Sequence, residues 1–119
     1  MALKHAASGE VVNLLSATLL SGAESPDFIS QAIVSAPRIE VMRLVLQAGK
    51  VIPGHAVAGP LTLHCLQGCV AVQAQGTWHE MRDNDLMYLA EEAEHVLQAK
   101  TDSIMLVTLF RPSHASFST

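Results

Sequence analysis

GKVIPGHAVAGPLTLHCLQG (Gly49–Gly68) and NDLMYLAEEAEHVLQA (Asn84–Ala99) are the two stretches whose reading decides the fold. In the first, Gly49 is followed by five residues and then His55, and Gly68 closes the stretch. Two apolar runs, LTLHCL and CVAVQAQ, flank Gly68. A residue free to take positive φ between two such runs predicts a tight hairpin. Pro53-Gly54 is a turn signal that delivers His55. In the second stretch Asn84 leads and His95 follows, with Glu91, Glu92 and Glu94 just before the histidine.

Working outward, short apolar segments recur between turn signals, and no long helical period follows residue 28. Strands are predicted at Phe28–Ser35, Ile39–Leu46, Leu61–Leu66, Cys69–Gln75, Thr77–Met81, Leu86–Leu89, His95–Ala99 and Ile104–Phe110. The breaks between them carry Gly49, Pro53-Gly54, Gly59-Pro60, Gly68, Gly76, Asp83-Asn84 and Lys100-Thr101-Asp102. Many short strands with evenly spaced turns imply an all-β sandwich or closed barrel. Both faces of Ile39–Leu46 are largely apolar, which suits a strand covered by the barrel on one side and by a partner or second sheet on the other. Residues 1–27 read as an N-terminal extension, either an edge strand from Val11–Leu15 or a short helix over 11–20 stopped by Gly22. Residues 28–111 form the barrel, and the Ser-rich segment 112–119 reads as a loose tail.

Length and composition narrow the functional classes. A chain of 119 residues, 50% apolar and 15% charged, is large enough for one core and is not of disordered composition. So apolar a small chain is expected to bury a face in a homodimer. The net charge is −4 and the seven basic residues are scattered, which argues against nucleic acid as a partner. No apolar run is long enough to span a bilayer, so no membrane partner is expected. Glu10, Asn13, Ser16 and Thr18 spoil the faint export signal around Val11–Leu20, and a cytoplasmic protein is expected. Cys65 and Cys69 match neither a zinc knuckle nor a CxxC pair and read as buried free thiols. Trp78, Tyr88, Met42, Met81, Met87 and Met105 read first as core. His5 and His79 read as surface residues, and His114 falls in the tail. No Gly-rich phosphate loop or nucleophile elbow is visible.

Taken together, the two stretches resemble the paired motifs of the cupin superfamily, in the manner of a small single-domain bacterial cupin. The first cupin motif is a Gly, five residues, His-x-His, three or four residues, Glu, six residues and Gly. Laid on this sequence, Gly49, His55 and Gly68 fall in register, while Val57 and Leu61 stand where the second His and the Glu belong. The second motif is a Gly, five residues, Pro-x-Gly, two residues, His, three residues and Asn. Asn84 opens it and His95 is in place, while Ala90, Glu92 and Ala99 replace the Pro, Gly and Asn. The resemblance spans about residues 38–110. It implies a cupin-type double-stranded β-helix, or jelly-roll barrel, with a pocket between the motifs. With Glu92 where glycine is usual, the turn before His95 is expected to have relaxed into another form.

In metal-dependent cupins two His and a Glu of the first motif join the His of the second around one divalent ion. Position by position, this resemblance leaves His55 and His95 as candidate metal ligands, one short of the usual three. If Leu61 faces the interior, strand alternation turns Leu63 and Cys65 inward and His64 outward. Cys65 is then a soft ligand candidate lying deeper than the usual Glu. His64 could reach the site only through a bulge. The glutamates before His95 read as a solvated turn, with a replacement carboxylate as the sharper alternative.

The expected function is therefore binding of a small molecule in a barrel pocket lined by Val57, Leu61, Leu63 and Cys65, with His55 and His95 at its mouth. Two alternatives stand beside it. One is an enzyme, a dioxygenase, isomerase or decarboxylase using one divalent transition metal on the two histidines. The other is a structural or regulatory dimer module.

Overall fold

A computed structural model describes residues 5–15 and 28–111, apart from the His55 side chain. The expectations for residues 16–27, for the tail from Pro112 and for His114 lie outside that range. The described chain contains no helix, and so none long and apolar enough to cross a membrane. Its strands are β1 Phe28–Ser35, β2 Ile39–Leu46, β3 Val51–His55, β4 Leu61–Gln67, β5 Cys69–Ala74, β6 Thr77–Arg82, β7 Leu86–Leu89, β8 His95–Ala99 and β9 Ser103–Phe110. They form two antiparallel sheets, one in the order β1-β2-β9-β4-β7 and the other β3-β8-β5-β6. This is the expected all-β jelly roll in a single domain.

Strand alternation fills the space between the sheets. Leu61, Leu63 and Cys65 of β4 point inward, as do Val70 and Val72 of β5, Leu97 and Ala99 of β8, and Met105 and Val107 of β9. Met81 is also buried there, with Met42 and Met87 packed against the cluster. Leu44 and Leu46 of β2 join this core, while Arg43 and Val45 are buried on the strand's other face. The Arg43–Leu46 half of β2 is therefore buried on both faces, while Ile39–Met42 is half-buried. Trp78 and Tyr88 depart from the core expectation and are 49% and 65% exposed. Each lies on a strand at a sheet edge with its side chain on the outer face, where alternation leaves it whatever its size. At the N-terminus, Val11–Leu15 forms neither edge strand nor helix; Ala6 N–H donates to the Ile33 carbonyl at 2.7 Å.

Two turn readings also change. Pro53-Gly54 does not turn the chain; it lies within β3 at a register shift between Ile52 and His55. β3 is an edge strand, and an edge is where a strand tolerates a residue without an N–H. Gly68 does not close a hairpin. It carries the chain from β4 in one sheet to β5 in the other.

The Gly68 corner is held tightly. Its φ is +105°, and a Cβ there would lie inside contact distance of Ser103 Oγ and 2.6 Å from the Asp102 carbonyl oxygen. Gly68 N–H donates to Asp83 Oδ1 at 2.8 Å, and Cys69 N–H reaches Thr101 Oγ1 and Ser103 Oγ, each at 3.1 Å. A methyl group would strain the backbone and push against atoms that hold the corner. Gly68→Ala is expected to lower unfolding free energy by about 2–4 kcal/mol, measured by urea denaturation.

Candidate functional site

The two stretches meet at the pairing of β3 with β8, where His55 and His95 are register partners. A second link joins them: Glu92 N–H donates to the Val57 carbonyl at 2.8 Å. The turn before His95 has kept the conformation that glycine would supply, contrary to expectation. Glu92 has φ +64° and Asn84 has φ +68°, both left-handed. Asn tolerates this region well, while Glu adopts it at a cost of about 1–2 kcal/mol. At Asn84 the chain is tied back to the first stretch, with Asn84 N–H donating to the Cys65 carbonyl at 2.6 Å.

Between the sheets lies a cavity of about 180 Å³. Leu61 and Leu63 of β4, Leu44 of β2 and Val107 of β9 wall one side; Leu97 and His95 of β8 wall the other, with Val57 in the β3–β4 loop. Ser30 and His95 carry the polar side chains of the described lining, which holds no Asp, Glu, Lys or Arg. A larger hollow of about 490 Å³ lies on the solvent side of β5 and β8. The interior cavity is the stronger candidate because it gathers side chains from both stretches within the barrel.

Of the residues expected at the pocket, Val57, Leu61, Leu63 and His95 line this cavity. Cys65 is fully buried but does not line it; its thiol faces the Gly68 carbonyl at 3.7 Å. His64 points away from the core, as alternation requires, and His5 and His79 are exposed. Glu91, Glu92 and Glu94 are exposed as well. The walls supplied by Met42, Leu44, Val107 and Leu109 were not singled out as pocket residues. The inward phase of β2 was readable, but its approach to β4 through β9 is set by long-range pairing.

His95 is 5% exposed, and its Nδ1 lies 3.2 Å from the Ala93 carbonyl oxygen. A carbonyl only accepts, so this contact favours a proton on Nδ1, the tautomer in which Nε2 of a neutral ring is an acceptor. The donor set does not fit a three-ligand metal centre. Val57 and Leu61 offer hydrocarbon, and the Cys65 thiol is pushed up to about 11, by burial first and then by the charge of Asp83. Among the described residues no three His, Cys, Asp or Glu side chains converge.

No family model matches the chain, and no curated protein matches it in sequence. Solved structures do match. A conserved protein of unknown function from Streptococcus pyogenes is similar with TM-score 0.77 and 15% identity, over 95% of this chain and 96% of that one. A cupin superfamily protein from Desulfitobacterium hafniense gives TM-score 0.72 at 15% identity, over 77% and 84% of the two chains. A salicylate 1,2-dioxygenase variant from Pseudoaminobacter salicylatoxidans gives 0.66 at 17%, over 75% of this chain and 28% of that one. At these identities the likeness establishes the cupin fold, and not an activity.

Three measurements test this arrangement. Glu92→Gly relieves a left-handed glutamate and keeps the backbone bond to Val57, so stability is expected to rise by up to about 1 kcal/mol in urea titration, less the added chain entropy of glycine. A thiol reagent at neutral pH should label half-buried Cys69 and spare Cys65, with both reacting after unfolding. The Cys65 thiol ionises near 9 in its ordinary state and near 11 here. Between those values the unfolded chain binds fewer protons, so stability is expected to fall as pH rises through that window.

Proposed function

We propose that this cupin-fold chain binds a small, mostly apolar molecule in the barrel cavity, anchored by one polar group to His95. The cavity itself carries this reading: about 180 Å³ walled by Leu, Val, Met and Ile side chains, with His95 from the second stretch. A cavity of this size accommodates a single ring, since an engineered apolar cavity of about 150 Å³ holds benzene. A fully charged ligand would lose its hydration to walls that hold no described countercharge. His55, directly opposite His95 in register, is the second polar position assigned to the mouth.

The fold's metal chemistry is not invoked, because hydrocarbon stands at two of the positions that would have to supply ligands. The molecule's recognition then rests on shape and on one hydrogen bond that its hydroxyl donates to an oriented imidazole. That arrangement binds without a step of bond breaking built into the described residues.

Calorimetric titration of the tag-free chain with phenol, benzyl alcohol and benzoate tests the proposal. Phenol or benzyl alcohol is expected to bind one to one, with benzoate much weaker. His95→Ala is expected to weaken binding about tenfold, and Val57→Phe, which fills the cavity from its loop, to abolish it. Absence of binding by all three probes overturns the reading. So does stoichiometric metal in the purified chain that is lost in both His55→Ala and His95→Ala, an outcome that would favour a two-histidine metal site.

A further inference from the structure

We propose that the outer face of the four-stranded sheet carries a second binding site, for an oligosaccharide, built around Trp78. The hollow that holds Trp78 shares no lining residue with the barrel cavity, and its chemistry is different. Trp78 lies on the edge strand β6, directly across from Gln73 of β5, and is 49% exposed. Its large indole stays in contact with water at a cost that ligand stacking would recover.

Each member of this cross-strand pair lines a different hollow. One, of about 460 Å³, is lined by Trp78, His79, Glu80, Gln98 and Lys100 with Ala71 between them. Its shape follows from register. Ala71 is paired with Glu80 on one side and Gln98 on the other, so a single methyl lies between two long polar side chains. The other hollow, about 490 Å³, takes Gln73, Gln75, Glu94 and His95 as its polar lining, with Gly54 leaving room.

The functional groups select the ligand class. A pyranose has an apolar C–H face that lies on an aromatic ring and a rim of hydroxyls that both donate and accept. The three glutamines each offer one donor and one acceptor group without charge. Glu80 adds an acceptor held by Arg82 at 2.5 Å, and Lys100 adds a donor. Nucleic acid would want a basic stripe in a chain whose net charge is −4. A bilayer would want an apolar surround for the indole, not amides and charges. Trp78 lines the first hollow and its cross-strand partner Gln73 lines the second, which leaves room beside the platform for more than one sugar ring.

Trp78 is the only tryptophan of the chain, so intrinsic fluorescence reads this site alone. The intact protein would be titrated with cellotetraose, chitotetraose and tetragalacturonate. At least one is expected to give a saturable shift in Trp emission. In Gln98→Ala, which keeps the reporter, that saccharide should bind about fivefold more weakly, and in Trp78→Ala calorimetry should show binding lost. A neutral saccharide alone binding identifies the amides as the main recognition groups; tetragalacturonate alone binding identifies Lys100 as the main one, and either supports the site. The proposal is overturned if none of the three produces saturable fluorescence change or heat, or if Trp78→Ala binds as tightly as the parent.

Discussion

The barrel depends on the corner at Gly68, where the chain must leave one sheet and enter the other without room for a side chain. On β4 the inward positions are Leu61, Leu63 and Cys65; on β5 they are Val70 and Val72. The parity of the inward residues changes across the corner, and a continuous strand of period two cannot do that. Gly68, at φ +105°, supplies the change, with Asp83, Thr101 and Ser103 holding the backbone amides that the corner takes out of the sheets. Backbone groups removed from a ladder must find partners elsewhere, and here polar side chains from two other loops provide them. The phase of both walls of the cavity is set at this point.

The same logic explains why the paired stretches specify a barrel even where their expected residues are absent. What the second stretch requires at residues 84 and 92 is left-handed backbone, and Asn84 and Glu92 adopt it. Their amides then reach the Cys65 and Val57 carbonyls, which ties each turn to the first stretch. Spacing was therefore a sound guide to fold, because it reports where the chain must bend. Most strands were legible for the related reason that alternation and turn residues are local. β3 was not, since Pro53-Gly54 carries a turn signal that an edge strand absorbs as an irregularity. The exposure of Trp78 and Tyr88 was also hidden, because composition favours burial and only the sheet order shows that both lie at edges.

The candidate site was legible in part. Val57, Leu61, Leu63 and His95 could be placed by motif position and strand phase. Leu44 and Val107 could not, because they meet β4 through pairings between residues far apart in the chain. Cys65 shows the limit of phase alone. It points inward with Leu63, yet the corner turns its thiol onto the Gly68 carbonyl and away from the cavity. Inward is a direction, and a cavity occupies only part of it.

Strand alternation gives β8 two unlike surfaces. His95, Leu97 and Ala99 face the interior, where hydrocarbon dominates and one imidazole is oriented by the Ala93 carbonyl. Val96 and Gln98 face outward beside Gln73, Trp78 and Glu80, where amides and charges surround a single aromatic ring. A ligand that satisfies the inner surface must shed water and hold few polar groups; one that satisfies the outer surface must keep many and offer a flat apolar face. No single molecule meets both demands. The thin sheet that separates these environments lets one small barrel present two chemistries, with Leu97 of β8 on the inner one, Val96 and Gln98 on the outer one, and His95 reaching both.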